Sequence, residues 1–164
     1  MIKPAQYVPE YDVAGSQFDL DLQLGRQGEA LTKSFLAAMA AGTFEVKTDR
    51  YRNGRMIVET EHLPIRQLNC AFPKWELSGI NTTKATFWVY VYTLNGAFVV
   101  IDVSRLKRYL RANPKTFNWD TKREFGNKTN NPSRGWLLEP EQVMDLMTNA
   151  EYDGPTALHP TATI

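Results

Sequence analysis

Three carboxylates, Asp49, Glu59 and Glu61, fall ten and two residues apart within two short stretches, 43–49 and 56–62, that read as β-strands. Strand side chains alternate between faces. Glu45, Lys47 and Asp49 are therefore expected on one side of the first strand, and Ile57, Glu59 and Glu61 on one side of the second. The connection Arg50-Tyr51-Arg52-Asn53-Gly54-Arg55 holds an Asn-Gly turn signal, so the two strands are expected to pair as an antiparallel hairpin. Carboxylates facing one another across a sheet repel unless a cation neutralises them. An oxygen-ligated Mg²⁺ suits such a place, because it needs only one or two carboxylates beside its water and a substrate's phosphate oxygens. Spacing alone favours a plainer arrangement, a solvated hairpin in which Glu45, Lys47 and Arg50 pair with Glu59 and Glu61.

The elements that would position these residues follow from periodicity and punctuation. A polar lead-in, 1–18, precedes a helix over 19–41, whose Leu24, Leu31, Phe35 and Ala38 recur at helical spacing before Gly42. After the first hairpin and a Pro-containing connection, the β-branched and aromatic run 85–92, Asn95-Gly96 and the run 98–101 predict a second hairpin. Ser104 is the expected cap of a basic helix to about residue 112, with Leu106 and Leu110 on one face. Residues 113–134 have almost no aliphatic side chains and read as a long irregular loop. Trp136-Leu137-Leu138 reads as a last strand, and Pro140 as the first turn of a helix over 141–147 with Val143, Leu146 and Met147 turned inward. The expected division is one domain, 19–147, with a flexible tail over 148–164. Trp75, Trp88 and Trp136 read as core, and Phe117 and Trp119 as loop anchors or as stacking surfaces for unpaired bases.

Composition narrows the chemistry. With one cysteine, Cys70, and two histidines, His62 and His159, the chain has no disulfide framework and no thiolate-ligated zinc site. No apolar run is long enough to span a bilayer and the N-terminus lacks a secretory pattern, so a soluble intracellular protein is expected. The net charge of +1 hides an asymmetry: residues 103–134 carry nine Lys and Arg against two Asp and Glu, and residues 135–164 carry five acids and no base. The basic segment fits a phosphate-facing surface or a merely solvated helix and loop, and charge does not choose between them.

The neighbourhood of the carboxylates adds a resemblance. Thr48-Asp49, nine intervening residues and Glu59-Thr60-Glu61 resemble the active-site motif of the PD-(D/E)XK nuclease superfamily, in a variant ending in Glu rather than Lys. Gly25-Arg26-Gln27-Gly28-Glu29 looks like the first-helix motif of phage nucleases and resolvases of that superfamily. The segment Ser78-Gly79-Ile80-Asn81-Thr82-Thr83-Lys84-Ala85-Thr86-Phe87-Trp88 is similar to the one following the motif in phage-encoded members. The resemblance covers residues 25–110 or so. It implies an α/β restriction-endonuclease-like core, α-β-β-β-(β)-α-β, with a mixed central sheet flanked by helices. It also implies a Mg²⁺-dependent deoxyribonuclease, endonuclease before exonuclease, with Mn²⁺ able to substitute, acting in the cytoplasm of a bacterial host.

In that frame Asp49 and Glu59 ligate the metal, Glu61 holds or deprotonates the attacking water, and Glu29 joins the metal site. Lys47 or Lys84 supplies the cation that the motif's Lys would. Arg105, Lys107, Arg108, Arg111, Lys122 and Arg123 would grip the DNA backbone, and 64–77 is available as a homodimer interface. The alternative is a decayed nuclease-fold module that binds nucleic acid without cutting. One geometric demand follows. A two-residue Asn53-Gly54 turn sets Asp49 opposite Val58, on the wrong face, so a loop of odd length or a bulge between Asp49 and Val58 is required.

Overall fold

The run Phe87-Trp88-Val89-Tyr90-Val91-Tyr92 combines β-branched and aromatic side chains on both parities, as a strand covered on both faces must. In the computed structural model, which describes residues 14–49, 53–92, 97–126 and 132–154 (backbone alone for 14–22, 24 and 49), this run is a central strand. The described elements are, in chain order, α1 (Ala14–Ala41), β1 (Phe44–Asp49), β2 (Met56–His62), β3 (Glu76–Leu77), β4 (Phe87–Tyr92), β5 (Ala97–Asp102), α2 (Val103–Ala112), β6 (Arg123–Phe125), β7 (Ser133–Leu138) and α3 (Pro140–Thr148). Short 3-10 turns lie at Ile65–Gln67, Gly79–Asn81 and Ala150–Tyr152. The fold is mixed α/β. No described helix is long and apolar enough to cross a membrane.

The strands form two sheets, of orders β1-β4-β5 and β3-β2-β7-β6, instead of one central sheet. The expected β1–β2 hairpin is absent. β1 runs parallel to β4, with Glu45 beside Trp88, Lys47 beside Tyr90 and Asp49 beside Tyr92, while β2 pairs antiparallel with β3 and β7. The turn signal itself was real: Gly54 has φ +69°, and the Arg55 amide donates to Asn53 Oδ1 at 3.1 Å. It redirects the chain from one sheet to the other, because β1 finds a better partner in the aromatic strand β4 than in its sequence neighbour. Residues 50–52 lie outside the described residues. The second hairpin, β4–β5, forms as expected.

By its contacts the chain divides into two compact units, Met1–Ala40 and Ala41–Ile164. In the first, α1 begins at Ala14, earlier than expected, and its Leu31, Phe35 and Leu36 are exposed. In the second, the core joins both sheets to α2, α3 and the last 3-10 turn: Met56, Val58, Trp88, Ile101, Leu106, Leu138 and Leu146 are essentially inaccessible. Burying an aliphatic side chain of this size stabilises by about 1.5–3 kcal/mol, so this cluster dominates the folding energy of the unit. Asp102, not the expected Ser104, caps α2, accepting from the amides of Ser104 and Arg105 at 2.8 and 3.0 Å. Tail residues 149–154 are structured, with Tyr152 buried against Tyr109, whereas Met147 is exposed; residues from 155 onward lie outside the described residues.

Candidate functional site

β2 carries the two carboxylates of the motif, and its burial alternates from Met56 to Thr60 before Glu61 repeats the buried class. The cause is a bulge. Glu59 pairs with Gly135 but Glu61 with Arg134, so Thr60 is the extra residue. A one-residue insertion turns the following side chain to the other face. Glu59 and Glu61 therefore do not share a side, contrary to the expected alternation, and they keep different company. This bulge lies on the β2–β7 pair; the odd-length loop or bulge expected between Asp49 and Val58 belonged to a β1–β2 hairpin that does not form, and residues 50–52 lie outside the described residues.

The bulge is held by its own polar groups. Thr60 Oγ1 donates to the Arg134 carbonyl at 3.0 Å, and the Thr60 carbonyl accepts from the Ser78 amide and Asn81 Nδ2, both at 2.9 Å. The 3-10 turn Gly79–Asn81 can approach this closely because Gly79 lacks a Cβ. One built there would lie 2.3 Å from the Glu59 carbonyl oxygen, and its φ of +52° is also unfavourable for other residues. Gly135 serves the same purpose on the neighbouring strand, where a Cβ would come within 2.1 Å of the Val58 oxygen. The Ser-Gly pair at 78–79 was visible in the sequence, but its bond to the site was not.

Around Glu59 a polar cluster crosses between the sheets. Ser78 Oγ donates to Glu59 Oε1 at 2.6 Å, leaving Oε2 turned to Lys47 Nζ at 3.7 Å; Lys47 also meets Glu45 Oε1 at 2.9 Å. Thr83 Oγ1 donates to Glu45 Oε2 at 3.4 Å. The three charged side chains keep 22–32% of their exposure, so the cluster is half-buried and open to solvent on one side. Lys47 lies 5.6 Å from the centre of the Trp88 ring, whose Nε1 is buried without an acceptor among the described residues, the kind of donor a bound water satisfies. Thus two hard oxygen donors from different sheets converge on one cationic position. Asp49 continues β1 two residues beyond Lys47 in regular register; its side chain lies outside the described residues. Lys84 is exposed, and Glu29 is an exposed residue of α1 in the first unit. Among the described residues no three His, Cys, Asp or Glu side chains form a metal-binding group.

Glu61 belongs to a second cluster. Its side chain is 8% exposed and pairs at 3.1 Å with that of Lys122, 9% exposed. Lys122 Nζ lies 4.3 Å from the centre of the Trp119 ring and 5.5 Å from that of Trp136; Arg134 stacks on Trp75 at 4.0 Å and lies 5.4 Å from Trp119. Trp75 and Trp136, read as core, are half-buried partners of these cations. The loop over 113–126 is ordered around Asn118, whose side chain bonds the Pro114 and Lys115 carbonyls and the Asp120 and Thr121 amides. Phe117 anchors it in the core, while Trp119 is 60% exposed.

The basic residues expected to face nucleic acid separate into two groups. Arg105 bonds the Leu146 and Asn149 carbonyls and pairs with Asp153, and Arg108 bonds the Tyr152 carbonyl and Ser104 Oγ. These two hold the C-terminal turn to α2, as Lys122 holds Glu61. Lys107 is half-buried, and Arg111 and Arg123 are exposed. No family model, curated protein or solved structure matches the chain.

Proposed function

We propose that the chain is a metal-dependent nuclease that hydrolyses DNA phosphodiester bonds, with its reacting centre at Glu59. The observation that carries this reading is the convergence of Glu59 and Glu45 on Lys47, with Ser78 fixing one oxygen of Glu59. It supports the chemistry that the resemblance to PD-(D/E)XK nucleases implies, with one change of role. Lys47, rather than Glu61, stands beside the motif carboxylate, and Glu61 anchors Lys122.

Carboxylate oxygens suit a hard divalent ion, and Glu59 and Asp49 would hold Mg²⁺, with Glu45 adjacent. When bound, the ion supplies an acidified water and neutralises charge on the phosphate. The chain's own part is separate. Lys47 donates to a non-bridging phosphate oxygen as negative charge builds there, and Ser78 keeps the Glu59 carboxylate from rotating. Arg111, Lys107 and Arg123 contribute backbone contacts to DNA, which give affinity without sequence information. Phage-type DNA processing in a bacterial cytoplasm is the setting this reading suits.

The test is plasmid cleavage in Mg²⁺ or Mn²⁺. Glu59→Gln is expected to abolish it with the thermal midpoint unchanged, and Ser78→Ala to weaken metal dependence by about 10–100-fold. Full cleavage by Glu59→Gln would reject the site. The engagement of Glu61 by Lys122 favours one other reading, a module that binds nucleic acid without cutting; wild-type chain that binds DNA but leaves it intact at any metal concentration would select it.

A further inference from the structure

The second cluster forms a ladder in which aromatic rings and cations alternate: Trp75, Arg134, Trp119, Lys122 and Trp136. Each of its cations is paired with a carboxylate. Glu61 fixes Lys122 at 3.1 Å and Glu124 fixes Arg134 at 3.3 Å, so neither long side chain must be ordered when something binds. The ladder's central ring, Trp119, is the exposed one. It borders an open depression of about 280 Å³ whose walls are Trp119, Asp120, Lys122, Glu124 and Arg134.

The chemistry of these walls selects among ligands. Two bases and two acids make the depression neutral overall, which disfavours phosphate as its main occupant. A cationic ligand is disfavoured too, since Lys122 and Arg134 already lie over the ring, which still keeps 60% of its exposure for a ligand. A flat neutral heterocycle with donors and acceptors on its edge fits both demands: it stacks on the indole, and its edge meets the carboxylate of Asp120 and the ammonium of Lys122. In a duplex such a heterocycle is stacked and paired, so the ligand must offer it unpaired.

We propose that Trp119 and the walls around it bind an unpaired nucleobase of a single-stranded DNA segment. This rests on the nuclease reading only in assigning the segment to its substrate; the binding itself needs no metal and no cleavage. Exposed Arg123 and Lys115 lie in the same stretch of chain and can contact the flanking phosphates.

Binding is measured by fluorescence anisotropy of labelled oligonucleotides in EDTA, using the Glu59→Gln chain so that nothing is cut. A single-stranded 12-mer of mixed sequence is expected to bind about 10-fold or more tightly than the blunt duplex of the same sequence. Trp119→Ala should lower the single-strand affinity about 10–100-fold, Trp119→Phe should retain most of it, and both should keep the wild-type melting temperature, because the ring is exposed. Equal binding of single strand and duplex, or an unchanged affinity in Trp119→Ala, overturns the proposal. Plasmid cleavage by the unmutated active-site chain in Mg²⁺ is scored separately. Loss of cleavage with single-strand binding intact would reject the nuclease reading alone, and cleavage without a Trp119 effect would reject the platform alone.

Discussion

Glu61 illustrates how one residue's role follows from burial more than from its type. A carboxylate 8% exposed at its side chain, paired with a lysine at 9%, is desolvated on both sides, and the pair persists because each charge satisfies the other. Removing one partner leaves the other buried and uncompensated. Glu61→Ala is therefore expected to destabilise the fold by about 3–5 kcal/mol, read as a shift in the urea midpoint, and Glu61→Ala combined with Lys122→Met should recover most of the loss. A wild-type midpoint in Glu61→Ala would return Glu61 to the reacting centre. Glu59 is predicted to behave in the opposite way, with chemistry lost and stability kept, because its side chain keeps 22% of its exposure and solvent can replace its partners.

Among the elements, α2 shows why counting charges along a helix misassigns them. Its basic residues point around the whole helix, and the side that meets α3 and the turn Ala150–Tyr152 uses Arg105 and Arg108 to satisfy carbonyls that would otherwise end unpaired. Arg108→Ala should lower stability while leaving the salt dependence of DNA binding as it is. Arg111→Ala should do the reverse, reducing the slope of log affinity against log salt by about 0.9, the share of a single phosphate. Salt titrations and melts of the two variants, run side by side, check both halves. Equal effects on the slope would mean that the helix faces DNA with its whole circumference. β2 teaches the companion lesson: strict alternation is reliable only up to the first bulge, and here the bulge falls between the two carboxylates themselves.

At the scale of the whole molecule, the C-terminal turn is part of the main core. Tyr109 meets Tyr152 edge-to-face at 4.9 Å and Phe117 at 5.6 Å, and its phenol is pushed up to about 12, first by burial and then by Asp145 and Tyr152. An unfolded tyrosine ionises near pH 10, so between about pH 10 and 12 the unfolded chain releases a proton that the folded chain retains. Stability is thus unaffected by this group below about pH 10. It falls as pH rises through the window, by about 1.4 kcal/mol per unit, and Tyr109→Phe should remove that slope in urea titrations. A slope that persists in Tyr109→Phe would assign it to other groups.

What the sequence determined by itself was local. The β4–β5 hairpin, the basic helix, the closing strand and helix and the polar character of the motif residues all follow from periodicity, caps and turn chemistry, which act over a few residues. The odd loop or bulge expected between Asp49 and Val58 presupposed a β1–β2 hairpin, which does not form. The tertiary structure decided the pairing of β1 with β4 rather than β2, the site of the bulge at Thr60, and the separation of Glu59 from Glu61. It also decided which cations face inward and the approach of Ser78 to Glu59. These rest on contacts between residues far apart in the chain, where Lys47 meets Glu59 across two sheets and Lys122 meets Glu61 across a loop. A turn signal states that the chain changes direction. Which strand then lies alongside is chosen by competition among all the strands for burial and hydrogen bonds, a choice made only when the whole chain folds.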